Sequence, residues 1–247
     1  MIVPALAMLP LVILAGGLAT RLGAVAATVP KALIEVAGRP FVDHQLELFH
    51  ARGVRRVVMC IGHLGDAIEA HLGTGRDRGM EISYSRDGER PCGTGGALRR
   101  ALPLLGGTCL VTYGDSYLDV DLAPLLTAAA SPDVAGILTV LHNRGRWDRS
   151  NVMMRDGRLL RYDKRAPSPD MEYIDYGLAL LSRDAIGRIP ADRPSDLGDL
   201  YRDLVDEGQM IGHEVTQRFY EIGSPEGLAE TRGFLEARAG TRERTLQ

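Results

Sequence analysis

The sequence predicts an α/β fold with a doubly wound, mainly parallel sheet, and two observations carry this prediction. Short apolar runs alternate with segments of helical spacing from Leu11 to about Leu141, which indicates successive strand–helix–strand units. A glycine-rich stretch without acidic residues, Leu14 to Lys31, directly follows the first apolar run. That is the position of ligand-binding loops in such sheets, beyond the carboxyl ends of the strands.

Each element of this first part follows from its apolar pattern. The predicted strands are residues 11–14, 54–62, 81–85, 108–114 and 134–142. The segments with helical spacing are residues 41–53, 64–73, 94–105 and 121–130. Because helices of about ten residues separate the strands, neighbouring strands are expected to run parallel.

The pattern changes after Asn143. An Asp-Gly pair at 156–157 lies between alternating runs and predicts a hairpin. Residues 173–182 are a further predicted strand, and residues 196–208 and 224–238 are predicted helices, the second with Ser224 as its N-cap. We expect one domain over residues 1–240 and a frayed tail over 241–247.

Composition excludes several classes of protein. The chain has 32 acidic and 29 basic residues and a net charge of −3, which argues against a broad nucleic-acid surface. The three cysteines are widely spaced and predict neither a disulfide framework nor a zinc site. The first 17 residues lack a basic segment and contain two prolines, so neither a signal peptide nor a membrane span is predicted. We expect a cytoplasmic protein that does not bind membranes.

The stretch from Leu14 to Lys31 is suited to a phosphate-rich ligand. Gly16 and Gly17 allow backbone N–H groups to approach an anion, and Arg21 and Lys31 supply positive charge. A carboxylate here would repel a triphosphate. The spacing matches neither of the common glycine-rich nucleotide loops. On spacing alone, a glycine-rich turn with two solvated cations is an equal alternative.

Four later segments contain further candidate residues. Glu89 precedes a helix start at which Gly93, Gly95 and Gly96 are expected to expose N–H groups to a base or a phosphate. Asp115 follows an apolar strand, where a carboxylate suits Mg²⁺. Lys164 follows the predicted hairpin, and Glu221 ends a short strand. Each segment taken alone also fits an ordinary surface loop or turn.

Taken together, these segments resemble a known family. L-A-G-G-x-x-T-R-L and P-K, then G-T-G-G-A, G-D after a strand, D-K and E-I-G-S-P occur in that order between Leu14 and about Leu228. This order resembles the sugar-1-phosphate nucleotidyltransferases, and most of all the compact heptose-1-phosphate guanylyltransferases. Ala19 stands where the family usually has glycine, and Glu221 where it usually has aspartate.

The resemblance implies a Rossmann-like sheet of the nucleotide-diphospho-sugar transferase type. It implies a nucleotide-binding half of about 9–142 and an acceptor-binding half of about 143–240 that contains the hairpin. The nucleotide-binding residues would be Leu14, Ala15, Gly16, Gly17, Thr20, Arg21, Glu89, Gly93 and Thr94. The sugar-phosphate-binding residues would be Asn151, Lys164, Tyr176 and Gly177. Arg21, Lys31, Asp115 and Lys164 would be catalytic, with Mg²⁺ on Asp115 and Glu221.

The implied reaction transfers a nucleoside monophosphate from an NTP to a sugar 1-phosphate and releases pyrophosphate. The expected product is GDP-heptose or a related activated sugar for surface-polysaccharide synthesis. A cytidylyltransferase acting on a non-sugar phosphate or phosphonate is one alternative, and a non-catalytic nucleotide-sensing module is another. The expected partners are the two substrates, and the sequence leaves a homo-oligomer open.

Overall fold

The computed structural model describes residues 6–17, 28–88, 90–128 and 134–245, and only the backbone of residues 241–245. Its strands are β1 (Pro10–Leu14), β2 (Glu35–Val36), β3 (Arg39–Pro40), β4 (Arg56–Ile61), β5 (Glu81–Arg86), β6 (Cys109–Tyr113), β7 (Ser116–Tyr117), β8 (Gly136–His142), β9 (Val152–Arg155), β10 (Arg158–Tyr162), β11 (Tyr173–Leu181), β12 (Met210–Val215) and β13 (Tyr220–Glu221). Its helices are α1 (Phe41–Ala51), α2 (Gly65–Leu72), α3 (Gly93–Arg100), α4 (Ala123–Ala128), α5 (Arg183–Gly187), α6 (Leu197–Asp206) and α7 (Pro225–Thr245).

Nine of these strands form one sheet in the order β5-β4-β1-β6-β11-β8-β12-β10-β9. The first four are mutually parallel, as predicted. Strand β11 then pairs antiparallel with both β6 and β8, β12 pairs parallel with β8, and the remaining pairings are antiparallel. The α/β class is therefore confirmed, but the prediction of a mainly parallel sheet is wrong for the second half.

The connection between β9 and β10 accounts for one of these antiparallel pairings. A parallel neighbour needs a crossover of a dozen or more residues, whereas a two-residue turn joins antiparallel strands. Asp156 and Gly157 form such a turn between β9 and β10, with φ angles of 50° and 75°. Positive φ at both positions is the geometry that an Asp-Gly turn favours in hairpins.

The core lies on both faces of the sheet because the central strands are buried on both sides. All five residues of β1 are buried, which is typical of a central parallel strand. Leu11 and Ile13 pack with α1 and α2 on one face. Val12 and Leu14 pack with α3 and α6 on the other face.

Two short loops meet where β1 and β6 end. The N–H of Gly114 donates to the Leu14 carbonyl at 2.9 Å, and the N–H of Ala15 donates to the Cys60 carbonyl at 2.8 Å. A Cβ on Gly114 would lie 2.9 Å from the Ala15 Cβ, so this close approach requires glycine. In the part of the chain that the structure describes, no helix is long and apolar enough to cross a membrane.

Candidate functional site

A cavity of about 450 Å³ lies at this junction. Its walls come from the ends of β1, β5 and β6, from the start of α3 and from the segment around Lys31. The lining residues are Leu14, Ala15, Gly16, Gly17, Lys31, Ala32, Asp87, Pro91, Gly93, Thr94, Ala97, Tyr113, Gly114 and Asp115. Its volume is within the range of small-molecule sites.

A lysine and an aspartate meet in the wall of this cavity. Lys31 Nζ lies 2.9 Å from Asp115 Oδ2, and both side chains are partly exposed, at 21% and 28%. The two residues are 84 positions apart in sequence. The structure thus brings together the cation and the carboxylate that the sequence singled out separately.

A buried amide fixes the turn that carries Asp115. Gln45 of α1 is fully buried. Its Nε2 donates to the carbonyls of Tyr113 and Ser116, at 2.8 Å each. The two acceptors flank Gly114 and Asp115, so one side chain holds both ends of the turn.

Glu221 lies close to Asp115 through a second small sheet. Strand β13 pairs antiparallel with β7, which places Glu221 opposite Ser116. A Cβ on Gly223 would lie 3.3 Å from Asp115 Oδ2 and would collide with Glu221 Oε2, so both carboxylates border the space that this glycine leaves. Two carboxylates around such a space are donors that suit Mg²⁺.

Glu221 is also tied to its own turn. Its Oε2 accepts a 2.5 Å hydrogen bond from the N–H of Gly223, and its Oε1 accepts one from the Ser224 hydroxyl at 3.0 Å. Among the described residues, no three His, Cys, Asp or Glu side chains are grouped as metal ligands. A cation here would complete its coordination with water and with substrate oxygens.

Lys164 belongs to a second pair, near the Tyr113 ring. Its Nζ lies 2.9 Å from Asp175 Oδ2 and 5.5 Å from the centroid of the Tyr113 ring. Burial disfavours the Lys164 ammonium, but the Asp175 carboxylate outweighs this effect and raises the pKa of Lys164 above its ordinary value. Asp175 also accepts hydrogen bonds from the Tyr162 hydroxyl at 3.0 Å and the Gly177 N–H at 2.9 Å.

Two of the three glycines at the start of α3 do not expose their N–H groups as predicted. The N–H groups of Gly95 and Gly96 donate to the Ser195 carbonyl, at 2.9 and 3.2 Å, and are not available to a base or a phosphate. Gly93 has a φ of 75°, and a Cβ there would collide with the Ser195 carbonyl. Thr94 Oγ1 accepts a 2.9 Å hydrogen bond from the Leu197 N–H. The glycines allow the start of α6 to dock on α3.

The structure adds to the cavity an acidic residue that was not predicted from the sequence. Asp87 directly follows β5 and lines the cavity, where a Cβ on Gly16 would lie 2.6 Å from its Oδ2. Burial raises the pKa of its carboxyl above the ordinary value, although the Cys92 thiol donates a hydrogen bond to it and acts in the opposite direction. An acid directly after a strand is the same signal that identified Asp115, so Asp87 could have been found.

The predicted nucleotide-binding residues divide into two groups. Six of them line the cavity: Leu14, Ala15, Gly16, Gly17, Gly93 and Thr94. Thr20, Arg21 and Glu89 lie outside the described residues. The acid-free stretch does not produce an acid-free cavity, because Asp87 and Asp115 enter from other elements.

The residues predicted to bind the sugar phosphate lie in different environments. Asn151 is buried, and its Oδ1 accepts a 2.9 Å hydrogen bond from the N–H of Asp175. It therefore helps to fix the backbone of the aspartate that pairs with Lys164. Gly177 lies beside Tyr113 and Ser116. The Tyr176 side chain is buried in the core, where its ring packs edge-on against Phe219 at 6.0 Å, and it does not line the cavity.

Several curated proteins are similar to this chain. A mannose-1-phosphate guanylyltransferase of Mycobacterium tuberculosis is 27% identical over 87% of this chain and 61% of its own length. An N-acetylmuramate alpha-1-phosphate uridylyltransferase of Caulobacter vibrioides is 28% identical over 91% of this chain and 96% of its own. A D-glycero-alpha-D-manno-heptose 1-phosphate guanylyltransferase of Campylobacter jejuni is 31% identical over 46% and 51%. The chain thus spans about 60% of the length of the mycobacterial relative.

A solved structure and a family profile extend this comparison. The crystal structure of HddC from Yersinia pseudotuberculosis complexed with GMP-PN matches with a TM-score of 0.77 and 22% identity, over 92% of this chain and all of that one. At this identity the likeness shows the fold. The MobA-like NTP transferase domain profile matches residues 11–209, which include the cavity, Lys31, Asp115 and Lys164. The chain therefore belongs to the MobA-like NTP transferase domain family.

Proposed function

We propose that this protein is a sugar-1-phosphate nucleotidyltransferase, which joins an NTP and a sugar 1-phosphate to give an NDP-sugar and pyrophosphate. The observation that carries the proposal is the meeting of Lys31 and Asp115 at 2.9 Å in the wall of a cavity beyond the parallel strands. The three curated relatives named above are guanylyl- and uridylyltransferases acting on sugar 1-phosphates.

The chemistry requires positioning and charge neutralisation rather than a protein nucleophile. An oxygen of the sugar 1-phosphate attacks the α-phosphorus of the NTP, a new P–O bond forms, and the bond to the departing pyrophosphate breaks. The attacking phosphate is already anionic, so no side chain has to remove a proton. Lys31 would neutralise phosphate charge on the nucleotide side, and Lys164 would bind the acceptor phosphate near the Tyr113 ring.

Asp115 and Glu221 are the residues that would hold Mg²⁺. The Asp115 carboxylate is partly exposed, and among the described side chains it pairs with Lys31 and weakly with the Ser116 hydroxyl, at 3.4 Å, so it can take a cation. Glu221 borders the same space through Gly223. When bound, Mg²⁺ would neutralise phosphate oxygens and orient them for displacement. Gln45 would keep the Asp115 turn in place while the substrates exchange.

We further propose guanine as the preferred base, and Asp87 supports this choice. A carboxylate accepts hydrogen bonds and donates none. Guanine presents two adjacent N–H donors on one edge, whereas uracil presents a single N–H between two carbonyl oxygens that repel a carboxylate. The Asp87 carboxylate lines the cavity beside Gly16. A GDP-heptose or a related GDP-sugar is the proposed product, formed in the cytoplasm.

A pyrophosphate-release screen tests the proposal directly. Each of four NTPs is combined with a panel of sugar 1-phosphates, including a heptose and a mannose 1-phosphate, and with inositol 1-phosphate as a non-sugar acceptor. We expect release to require both substrates and to be greatest with GTP. Nucleotide binding without release from any pair would indicate a sensing module instead, and preference for CTP with the non-sugar acceptor would indicate a cytidylyltransferase.

A further inference from the structure

A second cavity, of about 310 Å³, opens at the carboxyl ends of β8 and β12, in the other half of the sheet. It shares no lining residue with the cavity described above. Leu141 and Val215, the last apolar residues of these strands, contribute to its lining. The proposed reaction uses nothing in this cavity.

The charges around this cavity are predominantly positive. Three arginines line it, Arg144, Arg146 and Arg218, against one carboxylate, that of Glu214. Within the described parts of the chain, the guanidinium groups of Arg144 and Arg146 form no hydrogen bond or ion pair. Two unpaired guanidinium groups beside one cavity are donors without acceptors, and planar guanidinium groups match the geometry of phosphate oxygens.

The third arginine is held in place by aromatic rings. The Arg218 guanidinium carbon lies 3.9 Å from the centroid of the Trp147 ring and 4.8 Å from that of Tyr220. The same group forms an ion pair with Glu230. Its Nε is buried and has no acceptor among the described residues. The rings and Glu230 thus order this wall of the cavity before any ligand binds.

The loop that carries Arg144, Arg146 and Trp147 is fixed by one buried side chain. Asn143 Nδ2 donates to the Asp148 carbonyl at 2.6 Å and to the Ser150 hydroxyl at 3.0 Å, and its Oδ1 accepts the Trp147 N–H at 3.0 Å. Arg144 adopts a φ of 51°, which costs energy for a residue other than glycine. Such strain persists only where the surrounding contacts impose it, as those of Asn143 do here.

We infer that this cavity binds a small phosphate monoester. Arg144 and Arg146 would hold the phosphate, and Leu141, Val215 and the Trp147 ring would contact an apolar or ring-shaped body. A volume of about 310 Å³ is enough for a phosphorylated ring, and it is at the lower end of ligand cavities. The inference is independent of the proposed transferase activity.

Trp147 supplies the readout, because it is the single tryptophan among the 247 residues and is 38% exposed. Its fluorescence is measured while the full-length protein is titrated with phenyl phosphate at constant ionic strength. We expect a saturable change in fluorescence. The double variant Arg144→Ala and Arg146→Ala should weaken half-saturation about tenfold or more, because each guanidinium–phosphate contact is charge-assisted.

Three comparisons decide the interpretation. The double variant Arg155→Ala and Arg158→Ala removes two exposed arginines that lie opposite each other in the β9–β10 hairpin. This variant should leave binding unchanged. Lys31→Ala, in the first cavity, should also leave it unchanged. Absence of a saturable change, equal weakening in the hairpin variant, loss of the signal in Lys31→Ala, or equally strong binding of benzoate would each overturn the inference. Thermal unfolding confirms that each variant is folded.

Discussion

Two lysine–aspartate pairs of equal length occur near Tyr113, and they differ in how the carboxylate is held. Each Nζ–Oδ2 distance is 2.9 Å. The Asp115 side chain is 28% exposed, whereas that of Asp175 is 2% exposed and accepts two further hydrogen bonds, from Tyr162 and Gly177.

This difference indicates which partner can be exchanged. Asp115 can give up Lys31 for a cation without leaving a buried charge unpaired. Asp175 cannot give up Lys164 at the same low cost, because a buried carboxylate that loses its cation carries an uncompensated charge. We infer that the first pair separates when substrates bind and that the second keeps one lysine in place.

Replacing the exchangeable carboxylate should have the largest effect. Asp115→Asn keeps the size of the side chain but removes the charge that would hold Mg²⁺, so we expect turnover to fall about 1,000-fold or more at every Mg²⁺ concentration. Pyrophosphate release measures this, and EDTA should abolish the wild-type activity. Robust, metal-dependent turnover in Asp115→Asn would place the cation elsewhere.

The two lysines form a matched pair of variants. Lys31→Ala should lower turnover about 100-fold and weaken NTP binding, whereas Lys164→Ala should impair use of the acceptor by a similar factor and leave NTP affinity unchanged. Calorimetry with NTP and Mg²⁺ separates the two effects. Lys164→Ala should also lower the melting temperature more than Lys31→Ala, because it leaves Asp175 buried without its cation. Equal melting temperatures would remove the distinction between the pairs.

Gln45 sharpens the comparison, because it fixes the turn of the exchangeable pair. Gln45→Leu removes both hydrogen bonds to the turn and should lower the apparent affinity for Mg²⁺ about tenfold. The metal is titrated by calorimetry with NTP present, so the readout does not depend on turnover. Gln45→Glu, which places a buried carboxyl group against the same two carbonyl oxygens, should lower the Mg²⁺ affinity at least as much as Gln45→Leu. Wild-type Mg²⁺ affinity in both variants would limit Gln45 to a role in packing.

Glu221 should be more replaceable than Asp115. Its carboxylate already accepts hydrogen bonds from Gly223 and Ser224, and an amide in its place would keep one of the two oxygens as an acceptor. We expect Glu221→Gln to reduce turnover several-fold, with partial recovery at high Mg²⁺ or with Mn²⁺. A loss as complete as that in Asp115→Asn would show that the two carboxylates contribute equally.

The smallest expected effect is on stability, at Asp87. Burial raises the pKa of this carboxyl above its ordinary value of 3.8, so its ionised form destabilises the folded state. The penalty applies at neutral pH and disappears as the pH falls through the pKa of the folded state. Asp87→Asn should therefore raise the melting temperature by a few degrees at neutral pH. At acidic pH the variant and the wild type should have the same melting temperature. An increase that persists in acid would point to another cause.

The parallel half of the sheet could be predicted because most of its strands contain a continuous apolar run, such as Leu11–Leu14 in β1 or Val57–Ile61 in β4. Strand β12 was missed, since Gly212, His213 and Glu214 interrupt its apolar pattern. The position of β11 between β6 and β8 depends on contacts between residues far apart in sequence, for example Leu178 with Thr112. No local pattern encodes such a pairing.

The site was predictable to a similar extent. Asp115 stood out because it closely follows a buried strand, and Lys31 because it ends an acid-free, glycine-rich stretch. Tyr176 was expected beside the sugar, but the alternation of β11 directs its ring into the core. Local sequence also cannot distinguish a glycine that admits a ligand from one that admits another part of the same chain, as at Gly93.

The docking of Ser195 on the helix start at Gly95 and Gly96 has a consequence for protein engineering. The glycine motif at residues 93–96 is a natural target for changing base preference, because Gly93 and Thr94 line the cavity. In this chain the N–H groups of the motif donate to the Ser195 carbonyl, and the Leu197 N–H donates to the Thr94 hydroxyl. Each segment therefore depends on the other for its position. A library that changes residues 93–96 should vary residues 195–197 in the same clones, because otherwise most of its members would be lost to misfolding before their base preference is ever sampled.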